Sequence, residues 1–284
     1  MCLLILAMDA SASEPVQSID QQVRSLLARY QAFGDIPLPE LTDEDIAAIL
    51  GGEPAIRMSS DSPNASVSEF GIVGIHVIDS PKLLVWLTAM GVASEPDVRL
   101  TRAMLTEPDR GEYVRYQHVN MPWPIRDRHW VIHCEKDISL AEASGGSFWK
   151  HQWRLVEEGE SLLPPAIEDG RISGLSVRQL DRSVYLPANK GAWVTSAIND
   201  KQTLVIAYFD GSLGGLFPDS MVRRFAKVHL REGLKLVGEL SATAHQEYAD
   251  SRTIFDGFGQ PISREDVSTI AGILAPEGQS RTTD

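Results

Sequence analysis

The chain has 284 residues, 43% hydrophobic and 23% charged, with a formal net charge of −13. That is the make-up of an ordinary globular chain with a substantial core, in one large domain or two small ones, and its acidity argues against nucleic acid as a partner. No apolar run of roughly 18 residues exists to span a bilayer, and two cysteines, Cys2 and Cys134, build neither a disulfide framework nor a zinc site.

Residues 2–8 form a short apolar run, followed by Ala10-Ser11-Ala12, a small-residue pattern that suits cleavage. Asp9 interrupts the run and no basic segment precedes it. Residues 1–13 therefore read either as a clipped export signal, with a periplasmic or exported protein, or as the ragged start of a cytoplasmic one. Residues 14–39 form an N-terminal helical extension with Ile19, Val23, Leu26, Leu27 and Tyr30 at helical spacing, ended by Pro37 and Pro39. Thr42 opens a second helix that stops at Gly51-Gly52. Residues 54–60 and 66–78 read as strands, the second rich in β-branched side chains. Ser80 as N-cap and Pro81 as first residue open a helix through Leu83, Leu84, Trp86, Leu87 and Met90.

Strands at 98–106 and 112–119 are joined by a turn at Pro108-Asp109-Arg110-Gly111. On the second, Val114, Tyr116 and His118 share one face and are expected inward, opposite Arg115 and Gln117. Pro122-Trp123-Pro124 cannot sit inside a ladder and makes a stiff corner. The strand at 128–138 then puts Trp130, Ile132 and Cys134 on one face. The strand at 147–157 alternates Trp149, His151, Trp153 and Leu155, expected inward, against Phe148, Lys150, Gln152 and Arg154. A long loop covers 158–174. Strands near 176–186, 191–199 and 203–210 follow, with turns at Asn189-Lys190-Gly191 and Asn199-Asp200. Pro218 to Tyr248 is the longest helical stretch, and 263–274 forms one more helix before a disordered tail at 278–284.

The corner Pro122-Trp123-Pro124, followed by Arg128 and Trp130, resembles the START (StAR-related lipid-transfer) domain, a branch of the helix-grip superfamily. The family's Asp after the arginine is His129 here. A second match is Ala207-Tyr208-Phe209-Asp210, then Gly214-Gly215-Leu216-Phe217-Pro218 and the helix opening at Met221. The resemblance spans roughly residues 40–250, leaving 251–284 as a C-terminal extension. It implies an α+β helix-grip fold, a curved antiparallel sheet of about nine strands around a long C-terminal helix, with a cavity for a lipid or other hydrophobic small molecule.

On that reading Tyr116, His118, Trp130, Ile132, Cys134, Trp149, His151, Trp153, Met221 and Phe225 contact the ligand. Gly214, Gly215 and Pro218 form a gate. Sterol-binding members carry an arginine where this chain has Cys134, so that anchor is missing. His118 and His151 could meet inside the cavity, as could His229 from the helix, but each reads more readily as a core or surface histidine than as a catalytic one. His129 and His133 lie about 13 Å apart on one strand, too far for one metal. No metal and no cofactor is expected, and no Gly-x-Ser-x-Gly, HExxH or phosphate loop is present. Arg223, Arg224, Lys227, Arg231 and Lys235, opposed only by Glu232, suit transient contact with an anionic membrane or a solvated helix face. The expected function is non-enzymatic binding for transport or sequestration; the alternative is a helix-grip enzyme of the polyketide cyclase/aromatase type.

Overall fold

β-branched and aromatic residues at a period of two build a nine-stranded sheet: β1 (Ala55–Ser59), β2 (Glu69–Ile78), β3 (Leu100–Met104), β4 (Tyr113–Val119), β5 (Arg128–Lys136), β6 (Phe148–Leu155), β7 (Val184–Tyr185), β8 (Ala188–Asn199) and β9 (Gln202–Ser212). The computed structural model describes residues 17–59, 69–91, 100–121, 123–214, 219–248 and 253–274. The expected signal segment 1–13, Cys2, Pro122, the gate residues Gly215 and Pro218 and the tail 278–284 lie outside the described residues. The strand order is β1-β2-β9-β8-β6-β5-β4-β3, with every pairing along it antiparallel. β7 runs parallel to the first residues of β5, where β6 does not reach. Among the described residues the sheet does not close, since β1 and β3 end the path.

One face of this sheet grips the long helix α7 (Asp219–Ser241). Ile78, Val205, Ala207, Leu234 and Val237 form one cluster there; Ile56, Ile72, Val222 and Ala226 form a second. Gly74 marks the closest approach: a Cβ on it would lie 2.6 Å from Leu234 Cδ1. Only a residue without a side chain lets the helix sit that near β2.

The opposite face is also covered. The helices α1 (Ile19–Phe33) and α2 (Asp43–Leu50) each open with a capping box, Ser18 with Gln21 and Thr42 with Asp45. Their Val23, Leu26, Tyr30, Ile46 and Ile49 pack on Val73, Ile75, Val77, Phe148, Val194 and Ile206. Tyr30 meets Phe148 edge to face at 5.4 Å. Lys150, buried on this face, pairs with Asp35 at 2.6 Å and Asp137 at 3.2 Å. On the side of β6 expected to be the outer one, Phe148 and Lys150 are thus buried, Gln152 is half-buried and Arg154 is exposed.

Three helices close one end: α3 (Lys82–Ala89), α8 (Ala244–Tyr248) and α9 (Arg264–Leu274). Leu84, Trp86, Leu87 and Met90 pack there on Tyr248, Ile254, Ile262 and Val267, and Trp86 donates its indole N–H to the Phe255 carbonyl at 2.9 Å. Pro81, not Ser80, is the N-cap of α3, because the Ser80 carbonyl is engaged by the Thr203 hydroxyl at 2.7 Å.

Other expectations are corrected. The strand expected to 138 ends at Lys136 and turns into α4 (Ile138–Ala143), capped by Asp137. The expected loop at 158–174 contains a 3-10 turn at Gly159–Leu162 and α5 (Leu163–Glu168). The expected strand at 176–186 is α6 (Val177–Leu180) followed by the two residues of β7; Ser176 and Gln179 form a capping box that overrides the local β pattern. Asn189-Lys190-Gly191 is the start of β8, not a turn. The long helix stops at Ser241 and α8 follows after a short break.

Candidate functional site

A cavity of about 390 Å³ lies between α7 and the α7-facing side of β4, β5, β6, β8 and β9. That volume is in the range of sites that take small organic ligands, about 300–1,000 Å³. Its strand walls carry Tyr113, Arg115, Gln117, Trp130, His151, Trp153, Asn189 and Trp193, and its helix wall carries Phe225, Ala226, His229 and Leu230. Ile72, Leu186, Phe209 and Leu213 add to the apolar lining.

Directly paired residues on neighbouring strands share a face. Gln117 pairs with Trp130, Arg115 with Ile132, and Tyr113 with Cys134. Cys134 pairs with Trp153, and Trp153 with Gly191. Gly191 is needed where it stands. A Cβ there would sit 2.2 Å from the Trp153 ring and 2.6 Å from the Tyr208 carbonyl. The bare backbone lets the Trp153 indole lie across β8 and donate to Asn189 Oδ1 at 2.9 Å.

The polar tips form two groups. Trp130 Nε1 donates to Gln117 Oε1 at 3.1 Å, and Arg115 Nη2 lies 3.5 Å from the same oxygen. Separately, Lys136 Nζ donates to His151 Nδ1 at 3.2 Å, and His151 Nε2 lies 3.4 Å from the Tyr113 hydroxyl. An ammonium has no acceptor, so Nδ1 accepts and the proton of a neutral ring sits on Nε2, pointing to Tyr113. The Tyr113 and His151 rings are stacked at 5.9 Å. Among the described residues no Asp or Glu lines the cavity, and no three His, Cys, Asp or Glu side chains converge as a metal would need.

The structure brings Trp130, His151, Trp153 and Phe225 to the cavity, together with His229. Ile132 and Cys134 face the same side but lie buried behind the lining with Tyr113, Trp130 and Trp153. Trp149 also shares that face, yet it packs edge to face on Trp86 at the closed end and does not line the space. Met221 is 48% exposed at the start of α7 and does not line the cavity.

Tyr116 and His118 are on the other side of the sheet, which corrects the inward assignment of β4. Tyr116 is buried with Val131, Leu163, Ala166, Ile172 and Leu180 under α5 and α6, and burial pushes its phenol above its usual range. His118 lies 3.3 Å from the Ser183 hydroxyl and 3.6 Å from Asp127; burial lowers its pKa, against Asp127, which raises it. Alternation misled because both faces of β4 are covered, so the more apolar set is not the cavity set. The signal that separates them is the corner's length, which pairs odd positions of β4 with even positions of β5.

At the expected gate, Gly214 has a left-handed backbone, φ +63°. Arg128 of the corner donates Nε to the Leu213 carbonyl at 2.7 Å and Nη2 to the Gly214 carbonyl at 3.2 Å. The corner and the segment leading to α7 are thereby tied together, and Trp123 stands out from the same corner, 92% exposed.

No family model matches the chain, and no curated protein matches it. Among solved structures, human STARD10 superposes with a TM-score of 0.50 at 10% identity, over 85% of this chain and 86% of that one. The lipid transfer and protein localization domain of human StarD13 (DLC2) gives 0.48 at 10% identity, over 80% and 98%. A STAR-related lipid transfer protein fragment from Xanthomonas axonopodis gives 0.43 at 13% identity, over 76% and 98%. At such identities the likeness to STARD10 is one of fold.

Proposed function

From the helix-grip fold that this chain shares with a START-domain protein, we propose that it binds a lipid or other hydrophobic small molecule in the cavity beside α7, for transport or sequestration and without catalysis. The observation that carries this reading is the cavity itself: about 390 Å³, walled by Trp130, Trp153, Trp193, Phe209 and Phe225, with few polar tips. Apolar walls with a small number of placed polar groups suit an amphipathic ligand. Native mass spectrometry of the purified protein, followed by organic extraction, is expected to reveal a co-purifying apolar molecule. A second arm replaces Ala226, which lines the cavity from α7, with Phe; the protein is expected to stay folded and to lose most of its bound ligand. Retained ligand in Ala226→Phe would place the site elsewhere.

Access is assigned to the segment from Leu213 and Gly214 to the start of α7. On that helix Met221, Phe225 and Val228 are exposed apolar residues, and Arg224, Lys227 and Arg231 are exposed beside them. Basic and apolar side chains together suit an anionic bilayer surface.

A second reading, an enzyme of the polyketide cyclase/aromatase type, rests on the Lys136–His151–Tyr113 chain, which ends in a hydroxyl at the cavity wall. Proton transfer needs such a group within reach of the substrate. Recovery of a chemically altered ligand after incubation, lost in His151→Ala, would favour the enzyme; an unaltered ligand favours the carrier.

A further inference from the structure

Arg115 is the cavity's one cationic side chain apart from histidine, among the described residues. Its position on β4, paired with Ile132, turns it inward. No carboxylate answers it: no Asp or Glu lines the space, and no ion pair to Arg115 forms among the described residues. Among the described residues its Nε is buried without a hydrogen-bond partner, and its Nη2 reaches only Gln117 Oε1, at a long 3.5 Å. That oxygen is already taken by Trp130 Nε1 at 3.1 Å. A guanidinium held among tryptophans with unused N–H groups is costly unless something pairs with it.

We propose that Arg115 is the anchor for the ionised carboxylate of an amphipathic monocarboxylic acid, with Gln117 beside it and the acid's apolar tail along Trp153, Trp193 and α7. This deepens the hydrophobic-ligand reading above and rests on it. A planar carboxylate matches the guanidinium fork in shape and in charge, and accepts two parallel hydrogen bonds from it. One cation balances one carboxylate; a phosphate monoester would bring a second negative charge with no second Lys or Arg lining the cavity among the described residues. Arg102 faces the same side, opposite Gln117, but is exposed and outside the lining. A neutral sterol or ester would leave the buried Nε as it is.

The test uses the full chain with dansyl-undecanoic acid and its methyl ester, titrated by fluorescence at pH 7.5. The acid is expected to bind at least about tenfold more tightly than the ester, the factor of a charge-assisted hydrogen bond. Arg115→Gln is expected to weaken the acid by about tenfold while moving the ester by less than about twofold. Arg115→Lys, which keeps the charge without the fork, should fall between. Equal affinity of acid and ester for the unaltered protein would overturn the carboxylate assignment and leave the hydrophobic cavity standing. Binding of neither would overturn both. Equal weakening of acid and ester in Arg115→Gln would reduce Arg115 to a wall residue. The acid–ester comparison on the unaltered protein needs no variant to fold.

Discussion

His129 is fully buried, and neither of its ring nitrogens has a hydrogen-bond partner. Its surroundings are the rings of Tyr116 and Tyr185 at 6.1 and 5.3 Å, Glu160 at 3.6 Å and the nearby His118. Burial first, and His118 second, lower its pKa from 6.5 to about 4. The unfolded chain therefore binds a proton that the folded one refuses between those values. The stability involved is fully present above pH 6.5 and is lost as pH falls toward 4. Denaturant melts at pH 7 and pH 5 are expected to differ by about 1–2 kcal/mol from this group. His129→Leu should flatten that dependence, and an unchanged slope would assign the acid sensitivity to other groups. The sequence shows that an aromatic base replaces the aspartate of the resembled motif here. It does not show the burial, because the covering segment from Gly159 to Leu180 is rich in Gly and Pro and reads as loop.

The proposed entrance and the β4–β5 corner are linked by hydrogen bonds. Arg128 ties the β4–β5 corner to the carbonyls of Leu213 and Gly214, and α7 begins at Asp219. Arg128→Gln removes the fork that holds both carbonyls. It is expected to speed release of the dansyl acid several-fold, whereas Arg224→Glu should slow its transfer to anionic vesicles, more at low salt than at high. Stopped-flow transfer rates that ignore both changes would leave the cavity without this entrance. Proline at position 214 is a poor probe, because its φ cannot reach +63°. At this scale the strands β1, β2, β5, β6 and β9 were readable within a few residues, since β-branched residues and Trp alternate there. What alternation missed was α4, α5 and α6, short helices fixed by caps and by packing on β4 and β5 rather than by their own periodicity. The cavity residues on β5 and β6 were readable for the same reason as their strands. Arg115, Gln117 and Trp193 were not, because each depends on which residue lies across the ladder.

Over the whole molecule, the N-terminal helix and the cavity lie on opposite sides of the same sheet. Tyr30 of α1 is fully buried against Phe148, while Trp153 and His151 of the same β6 look toward α7. Tyr30→Ala is expected to cost about 3–5 kcal/mol, as truncation of a buried aromatic does, yet to leave the dansyl acid's Kd within about twofold in the folded protein. A parallel loss of affinity would mean that the outer layer shapes the cavity. The sheet's central strands are loaded on both sides, by α1 and α2 on one and by the apolar contacts of α7 on the other. A plate laminated in this way resists bending, so β6, β8 and β9 form the fixed jaw of a vice. On the access route proposed above, the moving jaw would be the first half of α7, where Phe225 is 44% exposed although it borders the cavity. On that route the width of the opening would be set by how far that half-helix swings, with the closer seat of its second half on Gly74 as the pivot.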